Sequence, residues 1–245
     1  MSTNSPLPPA AEKEHTVQGM FTAIAHRYDL NNSLLSLGLH HAWKRMAVNL
    51  TDAAKGDSAL DVCTGTGDLA VLLSRRVGPS GRVTGVDLNE RMLSFGRRKI
   101  EKLGIGNIVL RSGNAEALPF PDRSFRAVTV AFGIRNVSDV PTALSELHRI
   151  LAPGGRAVCL EFSRPMNAAV RRLYDLYSFR LLPWIGRIVA GDRTGVYDYL
   201  PASIRVFPDQ ERLKHLFEKA GFEQVTYRNL SGGIVAIHVG VKPGP

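Results

Sequence analysis

The chain of 245 residues contains only two cysteines, has no long apolar run, and has aromatic residues at 7%. Cys63 and Cys159 each lie inside an apolar, strand-like run. Two such thiols build neither a disulfide framework nor a zinc site, so they read as buried free thiols of a cytoplasmic protein, and no metal is expected. No stretch reaches the roughly 18 apolar residues of a spanning helix. The opening MSTNSPLPPAAEKEHT lacks the apolar segment of a secretory signal and carries proline and charge instead. Residues 1–16 therefore read as a disordered tail, and residues 17–245 as a single domain with a full core.

Acidic residues are the next shortage. Lys and Arg number 31 against 22 Asp and Glu, a net charge of +9. That balance suits a polyanion, either nucleic acid or an anionic membrane, and does not bear on fold. The nucleic-acid branch finds no motif. FGIRN, Phe132 to Asn136, is not the (Asp/Asn)-Pro-Pro-aromatic tetrad of amino-methylating enzymes. There is no Pro-Cys nucleophile and no RNA-binding signature, so no nucleic-acid partner is expected.

What is present is alternation. SALDV, RVTGVD, NIVLRSG, FRAVTVAF and GRAVCLEF read as five strands, with helices over Asp68–Val77, Glu90–Leu103 and Pro141–Leu151 between them. This rhythm predicts a doubly wound parallel sheet. Its end departs from the rhythm. EQVTYRNL and GIVAIHVGV are separated only by SGG, a link that joins antiparallel neighbours alone. A mostly parallel Rossmann-like α/β sheet closed by an antiparallel C-terminal hairpin is the arrangement of class I methyltransferases. Residues 17–50 read as an N-terminal helical cap, and 164–206 as an insertion after the fifth strand.

The segment SALDVCTGTGDLA poses the question of the ligand. Gly65, Gly67 and Ala70 satisfy the dinucleotide spacing G-x-G-x-x-G/A, and Asp87 follows Gly67 by 20 residues, so an NAD-binding oxidoreductase competes. Asp61 and Asp68 flank the turn and would repel a pyrophosphate, whereas the ammonium and sulfonium of S-adenosylmethionine (SAM) suit carboxylates. Asp87 suits ribose hydroxyls, and Asn114 with Ala115 an adenine edge. The expected cofactor set is Asp61, Gly65, Thr66, Gly67, Asp87, Leu88, Asn114 and Ala115, gathered at the carboxyl ends of strands.

Three longer stretches carry a resemblance. YDLNNSLLSLGLHHAW (Tyr28–Trp43), AFGIRNVSD (Ala131–Asp139) and RILAPGGRAVCLEFS (Arg149–Ser163) resemble signatures of the ubiquinone/menaquinone biosynthesis C-methyltransferases. Asn31, Ala131 and Ala152 depart from the family's usual Met, Ser and Lys. The resemblance implies methylation of a ring carbon of a demethylated prenyl quinol by SAM, with demethylmenaquinol preferred and a 2-methoxy-6-polyprenyl benzoquinol as the alternative. Such a ring carbon beside a phenolate is already nucleophilic, so the protein must align the reactants and favour the phenolate. Arg135 and Asn136, just past the fourth strand, are the first candidates. Arginine keeps its proton, so Arg135 would stabilise charge or orient a water, or else serve as an ion-pair partner. Tyr28 and His40 or His41 come next, with helix packing as their other reading. His148, His215 and His238 read as helix-surface or sheet residues.

Arg164–Arg193 holds six Arg against two Asp, with Val170, Leu173, Tyr174, Tyr177 and Leu181 at helical spacing before Pro183. It reads as a cap helix or as a peripheral contact with an anionic membrane. Candidate partners are thus the prenylated quinol, a membrane surface and a second copy of the chain.

Overall fold

In the computed structural model, residues 7–9, 12–176 and 195–244 are described, Tyr197 by its main chain alone. Seven strands form one sheet: β1 Ser58–Val62, β2 Arg82–Asp87, β3 Ile108–Ser112, β4 Phe125–Ala131, β5 Leu151–Phe162, β6 Glu223–Leu230 and β7 Val235–Val241. Their spatial order is β3-β2-β1-β4-β5-β7-β6. The first five are parallel, and β7 runs antiparallel to both β5 and β6. The predicted C-terminal hairpin is therefore present. Val62 of β1 is in register with Val86 of β2 and Val130 of β4, so the central strands end together. The chain moves outward from β1 to β3 and then returns to β4. That reversal opens a crevice between the ends of β1 and β4.

The central strands are buried on both faces, which is why they read as β-branched runs rather than as alternating patterns. On one face α4 (Asp68–Val77) and α5 (Glu90–Lys102) pack Leu69, Leu73, Leu93 and Ile100 against Ala59, Val83 and Leu110. On the other, α6 (Val140–Ile150) and α9 (Gln210–Lys219) bring Leu144, Leu147, Leu213 and Phe217 to Leu60, Val128 and Ala157. Asn89 starts α5 by accepting from Met92 N at 3.0 Å, one of the donors a helix start leaves open.

Ahead of β1 stand α1 (Lys13–Ile24), a 3-10 turn, α2 (Tyr28–Leu35) and α3 (Leu39–Leu50). Helix α1 opens four residues before the expected cap, so Lys13–Thr16 are its first turn and not part of a disordered tail. Trp43 and Ala47 of α3 pack against Val158, Leu160 and Ile237 beside the sheet. In the predicted insertion, α7 (Ala168–Leu176) and α8 (Val196–Val206) are present. Tyr177, Arg180, Leu181, Pro183, Arg187 and Arg193 lie outside the described residues. Both cysteines are free, and burial pushes each thiol up.

Candidate active site

The crevice is an open cleft of about 780 Å³ bounded by the ends of β1, β2, β3 and β4 and by α1. Its floor is the turn after β1, where Gly65 and Gly67 take φ of 56° and 81°, a region that side-chain-bearing residues avoid. Asp87, at the end of β2, spans this turn. One carboxylate oxygen accepts Gly65 N at 2.8 Å and the other accepts Asn89 N at 2.8 Å. Each oxygen keeps a lone pair for a further donor. Burial raises the Asp87 carboxyl, against the pull of those two N–H groups.

Of the residues expected at the cofactor, Gly65, Asp87, Leu88, Asn114 and Ala115 line the cleft, whereas Asp61, Thr66 and Gly67 stand outside its lining. Asp61 points into the protein, where Thr64 and Thr129 hydroxyls donate to it at 2.6 and 2.7 Å. Burial raises its carboxyl to about 6. Thr66 donates to Asp29 at 2.6 Å, tying the turn to α2. Asp68 is engaged by Lys44 and Lys99, each at 2.7 Å. Although burial pushes the other way, those two ammonium groups hold it well below the usual carboxylate range. Neither of the two carboxylates expected to greet the ligand therefore faces it. Their place is taken by Asp87 with Glu14 of α1 and Glu116 after β3. No Lys or Arg is among the lining residues. A pyrophosphate would meet anions and no cation there; an ammonium and a sulfonium would meet complementary charge.

The β4 side is built differently. Phe132 follows β4 with φ 55°, and Cys63 follows β1 with the same φ. A Cβ at Gly133 would overlap that of Cys63, so this approach requires glycine. Arg135 does not line the cleft. It is buried, and its Nη1 donates to the Phe132 carbonyl and to Glu161, both at 2.8 Å. The ion-pair role is thus the one the geometry displays, with Arg135 Nε unpartnered among the described residues. Burial raises the Glu161 carboxyl, against the adjacent guanidinium. Asn136 does line the cleft, and its oxygen accepts the Tyr199 hydroxyl at 3.0 Å.

Tyr28 also reaches the cleft, its hydroxyl pushed up to about 12 by burial. His40 does not. It packs against His41 with ring centroids 3.9 Å apart, and its Nδ1 lies 2.7 Å from Ser36 Oγ. Burial, then Lys44, lowers it to about 4, so it is neutral near pH 7.

The helical cap expected over residues 17–50 includes most of α1, but sequence reasoning missed its first turn and named none of its residues at the site. Glu14, Gln18 and Phe21 line the cleft at helical spacing, a signal obscured by the proline-rich residues before them. Lys13 Nζ donates to the Arg135 and Val137 carbonyls at 3.1 and 2.6 Å. Asn89 donates to Gln18 O at 2.9 Å and to Thr22 Oγ1 at 2.8 Å. Glu161 and Tyr199 were missed as well, because each is defined by a distant partner.

Solved structures share this fold. A SAM-dependent methyltransferase from Thermotoga maritima, titled a possible histamine N-methyltransferase, superposes with a TM-score of 0.64 at 22% identity, covering 91% of this chain and 98% of that one. One from Aquifex aeolicus gives 0.59 at 18%, covering 81% and 88%. The architecture is that of class I SAM-dependent methyltransferases. Residues 10–242 match the ubiE/COQ5 methyltransferase family model, and the chain belongs to that family, with S-adenosylmethionine as its cofactor. Proteins named ubiquinone/menaquinone biosynthesis C-methyltransferase UbiE are similar to it along nearly their whole length. That of Photorhabdus laumondii is 49% identical over 94% of this chain and 92% of its own. That of Saccharophagus degradans is 46% identical over 95% and 93%. Family and cleft chemistry together set aside the NAD reading.

Proposed function

We propose that the chain transfers a methyl group from SAM to a ring carbon of a demethylated prenyl quinol in quinone biosynthesis, with demethylmenaquinol as the first candidate and a 2-methoxy-6-polyprenyl benzoquinol as the second. The observation that carries the reading is the division of one cleft. Its β2–β3 side offers an open carboxylate, and its β4 side offers apolar and aromatic groups with the single amide of Asn136. The similarity to curated C-methyltransferases of both quinone pathways supports the acceptor class.

When bound, SAM would supply an electrophilic methyl group, its sulfur keeping the electron pair of the broken bond, and the proton displaced from the ring carbon would pass to water. Asp87 would hold the ribose hydroxyls at the free lone pairs of its carboxylate, and Asn114 with Ala115 would border the adenine. Phe21, Tyr28, Phe132 and Val137 exclude water around the acceptor ring. A phenol ionises near ~10 in water, so the site must favour its anion. Tyr28 keeps its own proton and donates a hydrogen bond to the acceptor oxygen; it is not a base. Asn136, steadied by Tyr199, orients the ring from the other side. Arg135 acts from behind, as fixed positive charge and as the holder of the Phe132 carbonyl.

Methyl transfer to demethylmenaquinol and to the 2-methoxy benzoquinol, assayed side by side with short-tailed forms of each, tests the reading. Turnover of either supports a quinol C-methyltransferase, and the ratio of kcat/KM decides the pathway. Transfer to neither, with SAM bound, overturns it.

A further inference from the structure

Four of the ten exposed large apolar side chains among the described residues fall within ten positions: Leu30, Leu34, Leu37 and Leu39. They crowd the corner where α2 turns into α3. Helix α2 has two faces. Tyr28, Asn31 and Leu35 turn inward, Tyr28 and Leu35 into a cluster with Phe21 and Ile24, while Leu30 and Leu34 turn out to solvent. At the tip, Leu37 is 88% exposed and has φ 50°. A leucine there bears both the cost of apolar exposure and that of a left-handed backbone, and such strain persists where it serves a use.

The exposed charges around the corner are mostly positive. Asp29 is the sole carboxylate in residues 15–51, and it is held by Lys99 and Thr66 at 2.6 Å each. Arg27 and Arg45 are exposed beside the leucines. The adjoining α5, fastened by Lys99, adds exposed Arg98 and Lys102 against Glu101. A second copy of a chain with net charge +9 would bring like charge to this surface. An anionic bilayer would bring the opposite charge and an apolar interior.

We infer that the α2–α3 corner docks the protein on an anionic lipid surface, with Leu30, Leu34, Leu37 and Leu39 entering the headgroup–acyl boundary. The inference rests on the proposed acceptor for its purpose, because a quinol with an isoprenoid tail resides in a bilayer. Helix α2 joins the two places, carrying Tyr28 at the cleft and the leucines at the surface. It is a surface separate from Arg164–Arg193, the segment suggested by composition, whose described part exposes Arg171 and Arg172 with Met166, Leu173 and Leu176. Of the described Arg in that segment, Arg164 is engaged by the Arg205 carbonyl.

Co-sedimentation with pure phosphatidylcholine vesicles and with equimolar phosphatidylcholine–phosphatidylglycerol vesicles tests the inference. The wild type is expected to partition onto the anionic vesicles, less so as salt rises. Leu37→Asn is expected to weaken partition by about tenfold or more, since it removes an inserting apolar group. Asparagine tolerates a left-handed backbone, so the same variant should melt no lower than the wild type. The double variant Leu30→Gln/Leu34→Gln should lose partition in the same way. Both should keep full transfer to a short-tailed, soluble quinol. Equal partition of wild type and variants, or no partition of the wild type, overturns the inference. So does self-association that Leu37→Asn abolishes, which would assign the corner to a second copy. Failure of the wild type on the short-tailed quinol strikes instead at the proposed function, and the vesicle comparison stands apart from it.

Discussion

On the β2–β3 side of the cleft, the polar groups are open toward the ligand. Asp87 accepts two main-chain N–H groups and keeps capacity on both oxygens, and Glu14 and Glu116 share the lining. On the β4–β5 side, the strongest polar groups are closed upon one another. Glu161 accepts from Arg135, Arg135 donates to Phe132, and Tyr199 donates to Asn136. The first side is furnished to bind a charged, hydroxyl-rich molecule. The second is furnished to hold a rigid wall against an apolar ring, and its charges shape that wall from behind. A methyl donor and a lipid acceptor demand this asymmetry, since one must be recognised by charge and the other by shape.

The largest effect that sharpens the contrast lies at Glu161. Glu161→Ala leaves a buried guanidinium without its carboxylate, a change that costs about 3–5 kcal/mol, to be read by chemical denaturation. Glu161→Gln keeps an acceptor oxygen and should cost less. In the Gln variant the Phe132 wall loosens, so transfer should fall more than SAM affinity does. If SAM affinity fell in step with transfer, the two sides would be one unit and the contrast would be lost.

Asp87→Ala should produce the converse. Calorimetry should record SAM binding weakened by about 1–3 kcal/mol, the usual effect of leaving buried polar groups without a partner. At saturating SAM, the KM for the quinol should stay near that of the wild type. An unchanged SAM affinity would remove Asp87 from the cofactor and with it the reading of the open side.

How much of this was legible in the sequence follows the same division. The strand–turn–helix around Gly65 and Gly67, the Asp87 that follows, and the terminal hairpin are local patterns, and they lie where the sequence predicts. Asp61 misleads because its partner Thr129 stands 68 positions away on β4, and its hydroxyl turns the carboxylate inward. Arg135 misleads in the same way, since Glu161 is 26 positions distant on β5. Proximity in sequence reports that a charge lies near the cleft, not which neighbour engages it. Composition hid the first turn of α1 as well. Prolines and charges in residues 1–16 obscure a helix whose Lys13 and Glu14 meet the end of β4 and the cleft only in three dimensions.

The smallest expected effect asks which member of the Tyr28–Trp43 signature reaches the closed side. Tyr28→Phe removes the hydroxyl of a residue that lines the cleft, and transfer should fall roughly 5- to 10-fold, the worth of one hydrogen bond of about 1 kcal/mol. Since that phenol stays protonated up to about 12, the variant should leave the shape of the pH–rate profile unchanged. His40→Asn keeps a polar atom near Ser36 and should leave transfer within about twofold, because no atom of His40 lines the cleft. The two substitutions also separate by pH. An imidazole base of ordinary pKa would make the rate fall as pH drops through about 6.5. His40, lowered to about 4, is neutral above pH 5 and can produce no such limb. Its depressed pKa acts on stability instead. The unfolded chain takes up this proton near ~6.5 while the folded one resists to about 4, so acidification across that window favours unfolding. His40→Asn should therefore flatten the loss of stability between pH 6.5 and 4 while leaving the rate profile alone. A neutral-pH rate limb that disappears in His40→Asn would return the histidine to the acceptor and displace Tyr28 from it.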